Sequence, residues 1–253
     1  MSRKDKETKL EGKNPVLEAL KAGRPIHRIF IAKGSQGSAR EIVKMARDRN
    51  IPIQEMEGKD LQAKSETRSP QGIMAITSKK EYASWPEMVD IALAKKEDPF
   101  LVILDGIKDP QNLGAIIRTC EAAGVHGVIV GKHRSAGLTE TVSKTSAGAV
   151  EFVPVARVTN ISATIDDLKD KGLWIVGADI KGRDIFEESQ MAGPTALVIG
   201  SEDKGISRLV GDKCDFLVRI PMKGSIQSMN ASAAAAVLIF EIVRQKKEAK
   251  TQR

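Results

Sequence analysis

Three stretches of this sequence gather the residue types that chemistry needs. In residues 220–245, IPMKGSIQSMNASAAAAVLIFEIVRQ, a loop crowds together Gly224, Ser225, Gln227, Ser228 and Asn230. Such residues supply flexible backbone, hydroxyls and amides rather than core volume. Asn230 suits the N-cap of the helix behind it, which is apolar on almost every face and must be covered on more than one side. A second stretch, GSEDKGIS at residues 200–207, follows a buried strand and precedes a helix, as a phosphate-binding loop does. Such a loop needs lysine directly after its second glycine, and Ile206 stands there. No G-x-G-x-x-G occurs either, which argues against a nicotinamide cofactor. In the third stretch, residues 105–125, DGIKDPQNLGAIIRTCEAAGV, Asn112 and Arg118 stand six apart on a loop and the helix after it. Leu113, Ala115, Ile116 and Ile117 are core neighbours, which sets Arg118 at their flank. His27, His126 and His133 are scattered and have no metal-ligand spacing, so no metal is expected; His27 and His126 read as structural.

The elements that carry these residues alternate. FLVILD, GVIVG, FVPVARV, LWIVGAD, ALVIG and FLVRI read as buried strands, separated by helical segments at 113–123, 139–149, 161–171 and 206–213. That order predicts an α/β domain over residues 99–253, a mostly parallel sheet with helices on both faces. Ahead of it, NPVLEALKAG, HRIFIAK, SAREIVKMARDRN, IPIQEM, KDLQAKS and GIMAITS predict a small α/β module over residues 11–78, with Gly23 and Asn50 as helix stops. Residues 79–98 read as a connector holding one helix, with Ser84 as its cap and Pro86 in its first turn. Residues 1–10 read as a charged, disordered tail.

Of 253 residues, 41% are hydrophobic and only 4% aromatic, so the core is aliphatic. No apolar run is long enough to cross a bilayer, and the charged N-terminus lacks the apolar segment of a secretory signal. Two cysteines, Cys120 and Cys214, far apart in sequence, exclude a disulfide framework. A cytoplasmic protein is expected. The net charge of +7 is uneven: residues 1–80 hold 18 Lys+Arg against 10 Asp+Glu, a net of +8. A localised positive field suits a polyanion, and with so few aromatics a structured RNA read by shape is expected rather than a stacked single strand.

Taken together, residues 105–125, 196–207 and 220–245 resemble, in order and spacing, the motifs of the SpoU (TrmH-like) branch of the SPOUT RNA methyltransferases. EGKNPVLEAL at residues 11–20 resembles that family's substrate-binding module, whose fold is like that of ribosomal protein L30e. The resemblance is closest to the two-domain bacterial enzymes that methylate a guanosine ribose in 23S rRNA. It implies transfer of a methyl group from S-adenosylmethionine to a ribose 2′-hydroxyl, a C-terminal trefoil knot and a homodimer. It also implies roles. Arg118 either binds the phosphate beside the target ribose and polarises the hydroxyl, the reading preferred because a guanidinium is hard to deprotonate, or acts as the general base. Asn112 joins it, Glu202 holds the arginine or the nucleotide, and Ser228 and Asn230 face the reacting centre. Gly200 and the backbone of Ile220, Met222 and Met229 hold the cofactor. Two alternatives remain open at this point: a tRNA substrate, and a non-catalytic RNA-binding assembly factor of the same fold.

Overall fold

A computed structural model describes residues 7–251 apart from 36, 38, 67–69, 189–190 and 226–227. The chain forms two compact units, Met1–Glu81 with Gly137–Phe152, and Tyr82–Ala136 with Val153–Arg253.

The first unit is built on strands β1 (Glu7–Glu11), β2 (Ile26–Ala32), β3 (Ile53–Met56) and β4 (Ile73–Ser78). They lie in the order β1-β4-β2-β3, with β4 antiparallel to both neighbours and β3 parallel to β2. Alternation along β2 decides its faces. Ile29 and Ile31 point into the main core with helices α1 (Lys13–Lys21) and α2 (Arg40–Asp48), while Phe30 and Ala32 pack with Leu61 of α3 (Gly58–Lys64). Gly23 and Asn50 take positive φ just past α1 and α2, as helix stops do. The expected tail ends earlier than residue 10: Glu7–Glu11 is an edge strand, because Leu10 is buried and the backbone pairs with β4. Residues 1–6 lie outside the described residues.

Gly137–Phe152 groups with this unit, whereas the expected boundaries ran the C-terminal module unbroken from 99 to 253. The segment holds α6 (Glu140–Thr145) and a 3₁₀ turn, Ala149–Glu151, where one helix over 139–149 was expected. It is fixed by buried polar contacts. Arg24 Nη1 meets Glu151 Oε1 at 2.6 Å, with side chains 8% and 0% exposed, and Lys80 approaches the other oxygen. Glu140 Oε1 accepts the Lys9 N–H at 2.8 Å, on the free edge of β1. A Cβ on Gly148 would stand 2.7 Å from Glu18 Cβ, so glycine is what lets the segment lie against α1.

The second unit is a six-stranded, wholly parallel sheet of β5 (Phe100–Asp105), β6 (Gly127–Gly131), β7 (Val155–Val158), β8 (Trp174–Asp184), β9 (Thr195–Gly200) and β10 (Phe216–Arg219). The order is β10-β8-β9-β5-β6-β7. One face packs Leu101, Ile103, Ile129, Ile175, Ala196 and Val198 under α4 (Trp85–Ala94), α7 (Ile161–Asp170) and α8 (Arg208–Gly211). Helices α5 (Pro110–Ala122) and α9 (Ala231–Thr251) pack against each other, with α9 on β9 and α5 on β6. The stretch expected as a polar connector belongs to this core, since Met88, Val89 and Ala92 of α4 are buried. The helix itself starts as expected: Pro86 lies in its first turn and the Ser84 N–H donates to Glu87 Oε2 at 3.3 Å. His126 is structural, its Nδ1 accepting the Phe100 N–H at 3.1 Å and its Nε2 facing Glu97 at 3.0 Å.

From β5 the chain winds through β6 to β7 on one side, while β9 and β8 lie on the other. The sheet therefore reverses its winding between β5 and β9, whose last residues Asp105 and Gly200 are paired. Open parallel sheets bind ligands outside the carboxyl ends of strands at such a point.

Candidate active site

At that point two loops leave the sheet. The turn after β9 is pinned by paired backbone hydrogen bonds between Ser201 and Gly205, 3.1 and 2.8 Å. It closes so tightly that a Cβ on Gly200 would lie 2.0 Å from the Gly205 carbonyl carbon. The glycine at 200 thus has a reason within the turn itself. Asp105, at the end of β5, takes the Ser207 N–H on Oδ2 at 2.7 Å and ties down the far end of the same loop. Asp109 caps α5 through the Gln111 N–H at 2.9 Å and so sets the direction of Asn112.

The turn presents Glu202 to the start of two helices. Its Oε1 accepts from Asn112 Nδ2 at 3.2 Å, from Asn230 Nδ2 at 2.5 Å and from the Ala231 N–H at 3.0 Å. Asn230 Nδ2 also reaches Asn112 Oδ1 at 3.0 Å. Asn230 is the expected helix cap as well: its Oδ1 accepts the N–H groups of Ser232 and Ala233 at 3.0 and 3.3 Å. One oxygen can serve three donors here because a carboxylate is acceptor-only and the N-terminus of α9 favours negative charge. Residues separated by 90 and 118 positions in the chain therefore share one junction.

The other candidates stand outside that junction. Arg118 lies on α5, exposed, and no hydrogen bond or ion pair holds it among the described residues. Among the described residues Glu202, Ser228 and Asn230 make no hydrogen bond to it; the Glu202 carboxylate bonds Asn112, Asn230 and the Ala231 N–H. Ser228 is exposed and Met229 half-buried, two residues and one residue before Asn230. Gln227 lies outside the described residues. Ile220 and Met222 follow β10, Ile220 half-buried and Met222 exposed at 37%. Among the described residues no backbone hydrogen bond uses the N–H or C=O of Ile220, Met222 or Met229. Free main-chain donors and acceptors beside apolar side chains are a donor set that fits a neutral purine. No cluster of three or more His, Cys, Asp or Glu side chains with metal-binding geometry occurs among the described residues.

Beside the junction opens a cavity of about 440 Å³, walled by Asn112 and Glu202 and by Lys108, His133, Arg134 and Lys204. Sequence reasoning set His133 aside for want of ligand spacing and did not single out Arg134. The signal that could have found them is position, directly past β6 at the carboxyl edge of the sheet.

A parallel α/β sheet with a polar junction over its switch point is the frame of a nucleotide-using enzyme, and the comparisons say which. Residues 99–240 match the model of the SpoU rRNA methylase family, and residues 9–83 match that of the RNA 2′-O ribose methyltransferase substrate-binding domain. YacO of Bacillus subtilis, named for the TrmH family of tRNA/rRNA methyltransferases, is 43% identical, covering 93% of this chain and 94% of its own. A Staphylococcus aureus protein of the same family name is 42% identical over 95% of this chain and 97% of its own. The solved structure of the SpoU methyltransferase AviRb from Streptomyces viridochromogenes, in complex with AdoMet, superposes with a TM-score of 0.81. It is 27% identical, over 97% of this chain and 92% of that one. The chain belongs to the SpoU rRNA methylase family: it is an RNA methyltransferase of the TrmH/SpoU type and uses S-adenosylmethionine.

Proposed function

We propose that the chain methylates the ribose 2′-hydroxyl of a guanosine in 23S rRNA, in the cytoplasm and as a homodimer. The observation that carries the reading is the junction of Asn112, Glu202 and Asn230, which joins the three stretches that resemble the motifs of the ribose methyltransferases. S-adenosylmethionine supplies a methyl group already activated on a sulfonium. Catalysis by the chain is then mostly positioning. The free main-chain groups of Ile220, Met222 and Met229 hold the adenine and ribose, with the Gly200 turn as the neighbouring wall. Arg118, exposed and without a side-chain partner among the described residues, binds the phosphate next to the target ribose and polarises its 2′-hydroxyl. Asn112, Glu202, Ser228 and Asn230 orient the nucleotide. With the donor bound, its methyl group would go to the 2′-oxygen as the hydroxyl proton leaves to solvent, which would leave the donor as a neutral thioether.

The basic first unit supports a large folded RNA as substrate, through the net charge of +8 over residues 1–80. The half-exposed Phe240 and the open Ala233 of α9 support the dimer, because that apolar helix is covered by this chain on one side only. The return of α9 from the edge strand β10 to α5 and β9 supports the trefoil path. Incubation with labelled S-adenosylmethionine and unmodified 23S RNA, followed by mapping of the label, tests the function. Label in 2′-O-methylguanosine is expected. Label on a base, or on tRNA alone, refutes the substrate.

A further inference from the structure

The segment Gly137–Phe152 carries buried polar atoms that methyl transfer leaves unexplained. Glu140, at the start of α6, is half-buried. Its Oε1 accepts the Lys9 N–H at 2.8 Å, and its Oε2 is buried with no hydrogen-bond partner among the described residues. Ser143 is buried too, and its Oγ likewise has no partner among them. Residues three apart share one face of a helix, and both side chains line one cavity of about 10 Å³ with Thr8, Leu10 and Val150. That space admits a single water at most. The cations nearby are held by other carboxylates. Lys9 Nζ pairs with Glu66 at 2.8 Å, and Arg24 and Lys80, in the same cavity wall, both pair with Glu151. Glu11 on β1 is a further negative charge, with the Ser65 hydroxyl and the Glu66 N–H donating to it at 2.8 and 2.6 Å. On α1, Lys21 pairs with Glu18 at 3.1 Å. Lys144 of α6 forms no ion pair with Glu140 among the described residues. An ionised Glu140 would therefore bury one oxygen with only the Ser143 hydroxyl to meet it, which does not offset the desolvation of a charge. A neutral carboxyl has an O–H to donate, and Ser143 Oγ can accept it. Burial, with Glu66 and Glu11 adding to it, pushes the group up to about 7 against the pull of the Lys9 N–H.

We propose that Glu140 and Ser143 form a proton-operated latch that holds α6 on the free edge of β1. In the closed latch the Glu140 carboxyl is neutral: Oε1 accepts the Lys9 N–H and the O–H donates to Ser143 Oγ, directly or through the one water the cavity admits. In the open latch the proton has gone to solvent, the carboxylate has turned out of the cavity to water, and the Lys9 N–H is left to exchange. The closed carboxyl holds its proton more tightly than the exposed one. The latch is therefore fully shut below the ordinary carboxylate range and weakens as pH rises towards neutrality. The segment leaves the chain of the second unit after Ala136 and rejoins it at Val153, just before β7, so the docking of everything between becomes a function of pH. The latch does not depend on the methyl-transfer reading and uses none of its residues.

The test is amide hydrogen exchange on the full chain between about pH 5 and pH 8, corrected for the intrinsic rate. In wild type the protection of the Lys9 N–H should fall about tenfold per pH unit up to about 7 and then level off, as the loss of one proton requires. Glu140→Gln keeps the shape and a donor for Ser143 but cannot ionise, so its protection at Lys9 should be flat across the range. Ser143→Ala should lower protection about fivefold at the acid end, the scale of one neutral hydrogen bond, and should have no further effect when added to Glu140→Leu. Ile29, whose N–H donates to the Pro52 carbonyl at 2.9 Å, is the reference inside the sheet, and Lys9 should exchange faster than Ile29 throughout. Protection at Lys9 that ignores pH in wild type, or that keeps the wild-type slope in Glu140→Gln, overturns the proposal. Equal protection at Lys9 and Ile29 overturns it as well, since the segment would then open only with the whole unit.

Discussion

Replacing Glu202 by alanine removes the acceptor on which three segments converge. Its Oε1 holds Asn112 Nδ2, Asn230 Nδ2 and the Ala231 N–H, at 3.2, 2.5 and 3.0 Å. A hydrogen bond to a charged acceptor contributes about 1.5–3 kcal/mol when sheltered. Glu202 is exposed, so water replaces part of each bond, and bonds that share one atom do not add. Loss of the carboxylate at the helix N-terminus removes a further ~0.5 kcal/mol. The net expected cost is about 1–2 kcal/mol for opening the first turn of α9, equivalent to roughly 5- to 30-fold in the opening equilibrium. Amide hydrogen exchange reads it directly. The Ala231 N–H loses the one acceptor it has among the described residues and should exchange faster by that factor, while amides in the middle of α9, near Ile239, change little. Glu202→Gln keeps one acceptor oxygen without its charge and should fall between wild type and alanine. Unchanged exchange at Ala231 in Glu202→Ala would show that the junction does not hold the start of α9, and the physical argument for three converging segments would fail.

In the first unit, Arg24→Met strands Glu151, whose side chain is fully buried, with Lys80 at 3.5 Å as its one remaining ion partner among the described residues. Breaking a buried pair costs about 3–5 kcal/mol, so exchange of the β4 amides should accelerate strongly, and adding Glu151→Leu should recover most of the loss. Burial pushes the Glu140 carboxyl up to about 7, and its Oε2 is buried with no hydrogen-bond partner among the described residues. The folded state therefore holds this proton more tightly than the unfolded chain. Its contribution is complete below the ordinary carboxylate range and is lost as pH rises through about 7. The gain in urea midpoint from Glu140→Gln should accordingly grow between pH 5 and pH 8. Burial lowers His126 below its ordinary value against the opposing pull of Glu97, with Lys95 and Lys246 adding to the depression. Protons then bind the unfolded state first, so stability should fall as pH drops below about 6.5. Both tryptophans, Trp85 and Trp174, lie in the second unit and report its unfolding, and His126→Gln should flatten this slope.

What the sequence makes legible follows from how local each determinant is. The buried strands of the second unit read directly, because an all-parallel sheet covered on both faces leaves runs such as FLVILD and ALVIG with no polar break. Strand β1 does not read, because Glu7, Lys9 and Glu11 give it the composition of a tail and only Leu10 supplies a core side chain. Its pairing with β4, some sixty residues on, decides the matter. The grouping of Gly137–Phe152 with the first unit is equally hidden, since Arg24, Lys80 and Lys9 anchor it from far away in the chain. At the site, Asn112, Glu202 and Asn230 come from motif resemblance, and the cap at Asn230 reads from local chemistry alone. Lys108 and Arg134 escape notice because an exposed lysine or arginine carries no pattern until the strand order sets both beside one cavity.

The most direct measurement is single-turnover methyl transfer by Arg118→Ala, with S-adenosylmethionine binding measured on the same preparation. Transfer should fall by at least two orders of magnitude, on the scale of losing one positioned charge at a reacting centre, with cofactor affinity within about twofold of wild type. Transfer at the wild-type rate by Arg118→Ala would contradict the assignment of that arginine to the ribose oxygen.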